Sequence, residues 1–257
     1  MKKIITVILC SSLVLMSCKK EKTIVEPATK TVFKKVKELA IYANGVLDRN
    51  EVYAYDAEGR ISSVTSLKNS LLFEYPTKNE LKIIAKSKAT GEVIWTQTAK
   101  LNSKGAITES EKRNPAGIVT ETWNYSYDVN GYMVSYKYTT PLYDDDVQEC
   151  FFVFEKGNVV AAKLYRNGIL QQNETYEYDL NELSMMPHTA MSSWVSETLY
   201  GIPNKNPRKT YKVAKPDDGT ITFHTVYTRT FNNNSNSLEE KVAYVLTGAN
   251  ALRKYTF

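Results

Sequence analysis

The chain has 257 residues, 42% hydrophobic and 11% aromatic, which is enough for a packed core and argues against disorder. Its formal charge of +5, or +3 without Lys2 and Lys3, is too small and too dispersed for the clustered basic stripe that nucleic acid requires. Eighteen tyrosines against eleven glycines and eight prolines point to strands, because tyrosine suits a half-buried pleated surface.

Residues 1–17 read as an export signal, with Lys2 and Lys3 at the start, an apolar run over 4–16, and Leu-Met-Ser-Cys closing at Cys18. As a helix the apolar run rises only about 20 Å, short of a hydrocarbon core of about 30 Å, so it directs the chain and does not span. The end of this segment resembles the lipobox of bacterial lipoproteins. That resemblance implies that Cys18 is acylated, becomes the first residue of the mature chain and anchors it to the outer membrane. Residues 18–30 are polar, contain Pro27 and form a tether, and Lys19, Lys20 and Lys22 suit anionic headgroups. Cys10 leaves with the signal and Cys18 takes lipid, so Cys150 stands alone in the folded part without a disulfide partner. Its setting, Glu-Cys-Phe-Phe-Val-Phe over 149–154, is that of a buried small hydrophobe in an apolar strand.

Residues 31–257 form one β domain. Turn residues recur every ten to fourteen positions at Gly45, Gly59, Asn69, Asn79, Gly91, Gly105, Gly117, Gly131, Asp145, Gly157, Gly168 and Asn181. The intervals leave strands of about eight to ten residues joined to their sequence neighbours, with no room for crossover helices. The clearest unit spans 121–139: Trp123, Tyr125 and Tyr127 alternate with polar residues, a turn follows over 128–131, and Tyr132, Val134, Tyr136 and Tyr138 alternate with Met133, Ser135 and Lys137. Such alternation gives a hairpin one aromatic and one polar face. Residues 52–61 repeat the unit, with Tyr53, Tyr55, Asp56 and Gly59 on Tyr125, Tyr127, Asp128 and Gly131. The aspartate fixes the turn by accepting backbone N–H groups ahead of it.

The meander breaks between 185 and 207. Met191, Trp194, Val195 and Leu199 fall at helical spacing, Thr189 is a cap and Gly201 a stop, predicting one short helix near 190–200 that covers an end or face of the sheet. Strands over 209–213, 220–231, 239–246 and 253–257 complete the chain. An open twisted sheet rarely exceeds about ten strands without curling, so the expected fold is all-β, an antiparallel up-and-down meander rolled into a barrel-like sheet. The faces opposite the aromatics carry polar residues, among them Thr96, Thr98 and Lys100 and also Thr108, Ser110 and Lys112, predicting a barrel tethered to a membrane and not set within it.

Tyr-x-Tyr-Asp-x-x-Gly-Arg-Ile over 53–61 resembles the tyrosine-aspartate repeat of Rhs-type shell proteins. Lipobox, tyrosine hairpins and the Gly-Ile-Pro-Asn-Lys-Asn-Pro segment over 201–207 together resemble Bacteroidetes-type lipoproteins of unknown function with a porin-like β fold. That resemblance supplies no catalytic residue. Phosphate-loop, dinucleotide and serine-elbow motifs do not occur, and His188 and His224 lack partners at metal-ligand spacing. Asp144–Asp146 and Asp217–Asp218 read as solvated turns and not as calcium sites. The expectation is therefore a non-catalytic envelope scaffold without cofactor or metal, contacting the membrane through its lipid and binding a glycan or a protein ligand. The alternative is an envelope glycan hydrolase drawing carboxylates from turns such as Asp128, Asp145 or Asp218.

Overall fold

The computed structural model of the protein describes residues 33–141, 146–187 and 199–257. They form sixteen strands, of which the first eight are β1 (Glu38–Ala43), β2 (Val46–Tyr55), β3 (Ile61–Ser66), β4 (Asn69–Glu74), β5 (Glu80–Ser87), β6 (Val93–Leu101), β7 (Ile107–Arg113) and β8 (Val119–Tyr127). The rest are β9 (Met133–Thr140), β10 (Asp146–Glu155), β11 (Asn158–Arg166), β12 (Ile169–Tyr178), β13 (Arg208–Ala214), β14 (Ile221–Asn232), β15 (Ser237–Tyr244) and β16 (Asn250–Thr256). Each strand runs antiparallel to the next in sequence, and β1 pairs with β16 from Glu38↔Thr256 to Ala43↔Ala251, so the sheet closes as an up-and-down barrel. Closure gives the hydrogen-bonding groups of both terminal strands a partner. Among the described residues there is no helix.

Alternation decides what faces inward. On β2, Tyr53 is 5% exposed beside Val52 at 50%, and on β5 Leu81, Ile83 and Ala85 are almost wholly buried between half-exposed neighbours. Across β8 and β9, Tyr125 opposes Tyr136 and Trp123 opposes Tyr138, the last pair with ring centroids 4.2 Å apart. These cross-strand aromatic contacts are the packing units of the wall. The outer face carries charge instead: Lys100 opposes Glu109, Lys137 opposes Glu149 and Lys254 opposes Glu239, each as an ion pair.

Strict alternation fails near many turns. The register slips at Ala54/Tyr55, Lys100/Leu101, Ser126/Tyr127 and Glu177/Tyr178, each a β-bulge that adds a residue and increases the local twist. One slip brings Met133, expected on the polar face with Ser135 and Lys137, to 1% exposure opposite Tyr127. Another bears on β7. Ser110 and Lys112, expected to face outward, oppose inward Ala99 and Gln97, and Ser110 is buried. Because β7 is polar on both faces, its letters alone do not tell inside from outside.

The turns after β2, β6 and β8 share one construction. Asp56, Asn102 and Asp128 each accept, on a side-chain oxygen, the N–H four residues ahead, from Arg60 at 2.8 Å, Ala106 at 3.0 Å and Tyr132 at 2.8 Å. Asn114 repeats the bond to Ile118 at 3.0 Å in the turn after β7, at the opposite end of the barrel. Asn69, expected in a turn, is the first residue of β4, and the reversal falls on Leu67 and Lys68.

The connection between β12 and β13 closes the end that holds the turns of β2, β6 and β8. Leu199 accepts from Ile107 N on β7 at 2.9 Å, Ile202 N donates to Gly131 O at 3.0 Å, and Lys205 N donates to Gly157 O at 2.9 Å. Asn158 and Asn206, both buried, exchange hydrogen bonds of 2.9 Å, and Asn204 accepts from Val159 N at 2.9 Å. Gly201 lies against Gly131 O and the Tyr127 ring at φ +83°, where a Cβ would meet the carbonyl oxygen at 2.7 Å. The helix expected near 190–200, with Thr189, Met191, Trp194 and Val195, falls on 188–198, outside the described residues; Leu199 next to it is buried in a turn.

Candidate functional site

Charged side chains stand among the apolar ones inside the barrel. On β2 the inward side chains run from buried Tyr53 through Glu51, 15% exposed, to Arg49, 51% exposed, so among the described residues exposure rises away from the capped end. Toward the end opposite the cap, Lys112 and Glu121 form a 2.7 Å ion pair, with the Lys112 ammonium 5.0 Å from the Trp95 ring centre. Asp146 and Arg166 form another at 2.8 Å.

Deeper in, β9, β10, β12 and β13 enclose a cavity of about 300 Å³. Tyr136 and Cys150 line one side; Glu174, Tyr176, Arg208 and Tyr211 line the other. Alternation places Glu174 there, since Gln172, Glu174 and Tyr176 share the inward face of β12. The Glu174 carboxylate accepts from the Tyr176 hydroxyl on one oxygen and from Gln172 Nε2 at 2.9 Å on the other. Two donors, one on each oxygen, hold it in one orientation. The Tyr176 and Tyr211 rings stack at 5.0 Å, with the Arg208 guanidinium 4.9 and 5.6 Å from their centres. Burial first and the Glu174 charge second raise both phenols above their usual range, so they act as neutral donors at pH 7. The same causes push the Cys150 thiol up to about 12, which keeps it protonated and unreactive.

Beside the cavity three guanidinium groups surround one ring. Arg208, Arg229 and Arg253 lie 5.9, 5.5 and 6.0 Å from the centre of Tyr227. Glu240, 1% exposed, bridges Arg229 and Arg253, the latter at 2.9 Å. Arg229 also donates to the Arg208 carbonyl, which ties β14 to the start of β13.

None of these charged residues stands out by motif. Their signal is a charge in register with apolar residues, as in Tyr227-x-Arg229-x-Phe231, Leu238-x-Glu240-x-Val242 and Arg253-x-Tyr255-x-Phe257. The residues considered from sequence are not brought together. Asp128 sits in the turn after β8 at the capped end, where burial raises its pKa but the N–H groups of Tyr132 and Gly131 outweigh that and hold it below the usual carboxylate range. Asp218 sits in the turn after β13 at the opposite end, lowered by the Thr220 N–H. His224 opposes Lys212 on β13. Cys18, Asp144, Asp145 and His188 lie outside the described residues. Among the described residues no three His, Cys, Asp or Glu side chains group together as metal ligands would.

No protein-family model matches the chain, and no curated protein matches it. Among solved structures, a porin-like protein from Bacteroides uniformis is similar, with a TM-score of 0.63 and 14% identity, over 88% of this chain and 99% of that one. A porin-like protein from Bacteroides vulgatus gives a TM-score of 0.59 and 11% identity, over 86% and 98%. At these identities the likeness is one of fold: a porin-like β-barrel.

Proposed function

We propose that the protein is a non-catalytic binding scaffold of the bacterial cell envelope, carried on lipid at Cys18, whose barrel interior receives a soluble glycan or peptide. The observation that carries this reading is the inward cavity walled by Tyr136, Tyr176 and Tyr211. Pockets of this kind pair aromatic faces with a few fixed polar groups, and Glu174 is such a group. The outer charges support a barrel tethered outside the bilayer, since each Lys or Arg facing lipid at mid-depth would cost about 2–4 kcal/mol. For a hydrolase the described turn acids are poorly placed: a glycosidase needs its carboxylates within about 10 Å, and Asp128 and Asp218 stand at opposite ends.

Two measurements test the proposal. Cell fractionation should find the full chain in the membrane and Cys18→Ala released from it; retention of the variant would refute the lipid anchor. Trp123 lies 5.6 Å from Tyr136, so tryptophan emission should report ligand entry. Titration of the mature chain with soluble oligosaccharides and short peptides should give saturable quenching without change in ligand mass. Cleavage of the oligosaccharide would overturn the non-catalytic reading.

A further inference from the structure

The charges inside the barrel do not balance locally. Of the three guanidinium groups around Tyr227, two share Glu240. Arg208 makes no carboxylate ion pair among the described residues, and its Nε is buried without a hydrogen-bond partner. Its neighbours are the rings of Tyr176, Tyr211 and Tyr227, whose centres lie 4.9, 5.6 and 5.9 Å from the guanidinium. Glu174 is the carboxylate of the cavity wall, and its two oxygens accept from Tyr176 and Gln172. A guanidinium nitrogen removed from water without an acceptor is costly to keep, and the planar fork that carries it matches a carboxylate or phosphate with two parallel hydrogen bonds. Arg208 is also fixed in place, stacked on Tyr176 and Tyr211 and held at its carbonyl by Arg229.

We infer that the cavity takes a compact organic anion, an acidic monosaccharide unit, with its carboxylate or phosphate on Arg208 and its ring against Tyr136, Tyr176 and Tyr211. The volume of about 300 Å³ is at the small end for ligand sites and fits one sugar ring better than a chain. The tyrosine faces suit the apolar side of such a ring. This inference rests on the binding-scaffold reading above and narrows it to one charge class.

The test uses the mature chain and four probes: glucuronate, glucose 6-phosphate, glucose and inorganic phosphate, titrated by tryptophan emission and by thermal shift. Glucuronate or glucose 6-phosphate is expected to bind at least tenfold more tightly than glucose, and the better of the two identifies the anionic group. The preference should weaken with added salt in the unmodified protein, a readout independent of any variant. Arg208→Gln should bring the acidic sugars down to the affinity of glucose, and Arg208→Lys should restore only part of the difference, because the charge returns without the fork. Equal binding of glucose and glucuronate would overturn the inference and leave the scaffold reading in place. Binding of inorganic phosphate without preference for the sugars, or of none of the four, would also overturn it. Binding with conversion of the acidic sugar would uphold the charge assignment and overturn the non-catalytic reading.

Discussion

Asp56, Asn102, Asn114 and Asp128 each hold a chain reversal with one side-chain oxygen, and two of the four carry a charge that pH can remove. In Asp56 as in Asp128, burial raises the pKa, but hydrogen bonds outweigh it, from Arg60 in the first case and from Tyr132 and Gly131 in the second. A depressed folded-state pKa stabilises above the unfolded value, near 4, and that contribution is lost as pH falls through the folded value. Thermal melts between pH 2 and 7 should therefore lose stability most steeply below about pH 4. The double variant Asp56→Asn, Asp128→Asn should flatten that part of the profile and change little at pH 7, because an amide oxygen already does the same work at Asn102 and Asn114. Asp128→Ala should cost about 1 kcal/mol at pH 7, an exposed carboxylate being discounted for solvent screening. The aspartate turns were legible in Tyr-x-Tyr-Asp-x-x-Gly. The asparagine turns were less so, because they lack the flanking tyrosines while keeping the acceptor geometry.

At the scale of the element, the hairpins form from local instructions and the cap does not. Alternation of Trp123, Tyr125 and Tyr127 with polar residues is enough to read β8. It fails for Met133 because a bulge is a difference in length between two strands, which neither strand shows by itself. It fails for Ser110 and Lys112 because β7 has no apolar face to mark the inside. The sequence shows a break in the meander before residue 207 and a stop at Gly201, but the capping by residues 199–207 depends on hydrogen bonds to Ile107, Gly131 and Gly157, distant in sequence. Two substitutions test how firmly the cap is held. Gly201→Ala places a methyl against Gly131 O and the Tyr127 ring at a positive φ, and should destabilise by about 2 kcal/mol in urea denaturation. Asn158→Ala removes both bonds to Asn206 and leaves its buried N–H without an acceptor, at about 2–3 kcal/mol. Both should raise hydrogen exchange first at Ile202 and Lys205.

For the whole molecule, the number of turns already implied closure, since so many strands in one sheet must curl. What strand counting could not give is which charges closure would enclose. Arg229, Glu240 and Arg253 come from three strands and meet only because those strands lie side by side. Glu240→Ala removes a buried carboxylate from two partly buried guanidinium groups and should cost about 3 kcal/mol, measured by denaturant titration. Arg229→Met combined with Glu240→Leu should recover much of that loss, because a well-packed apolar substitute for a buried ion pair is often neutral. The seam between β1 and β16 has a consequence for how the molecule is assembled. Every other rung of the ladder joins segments consecutive in sequence and can form as the chain is delivered, but this one waits for the seven residues of β16. Until they arrive the product is an open ribbon with two bare margins, and a copy truncated before Asn250 keeps them, a ready template for pairing with a second molecule.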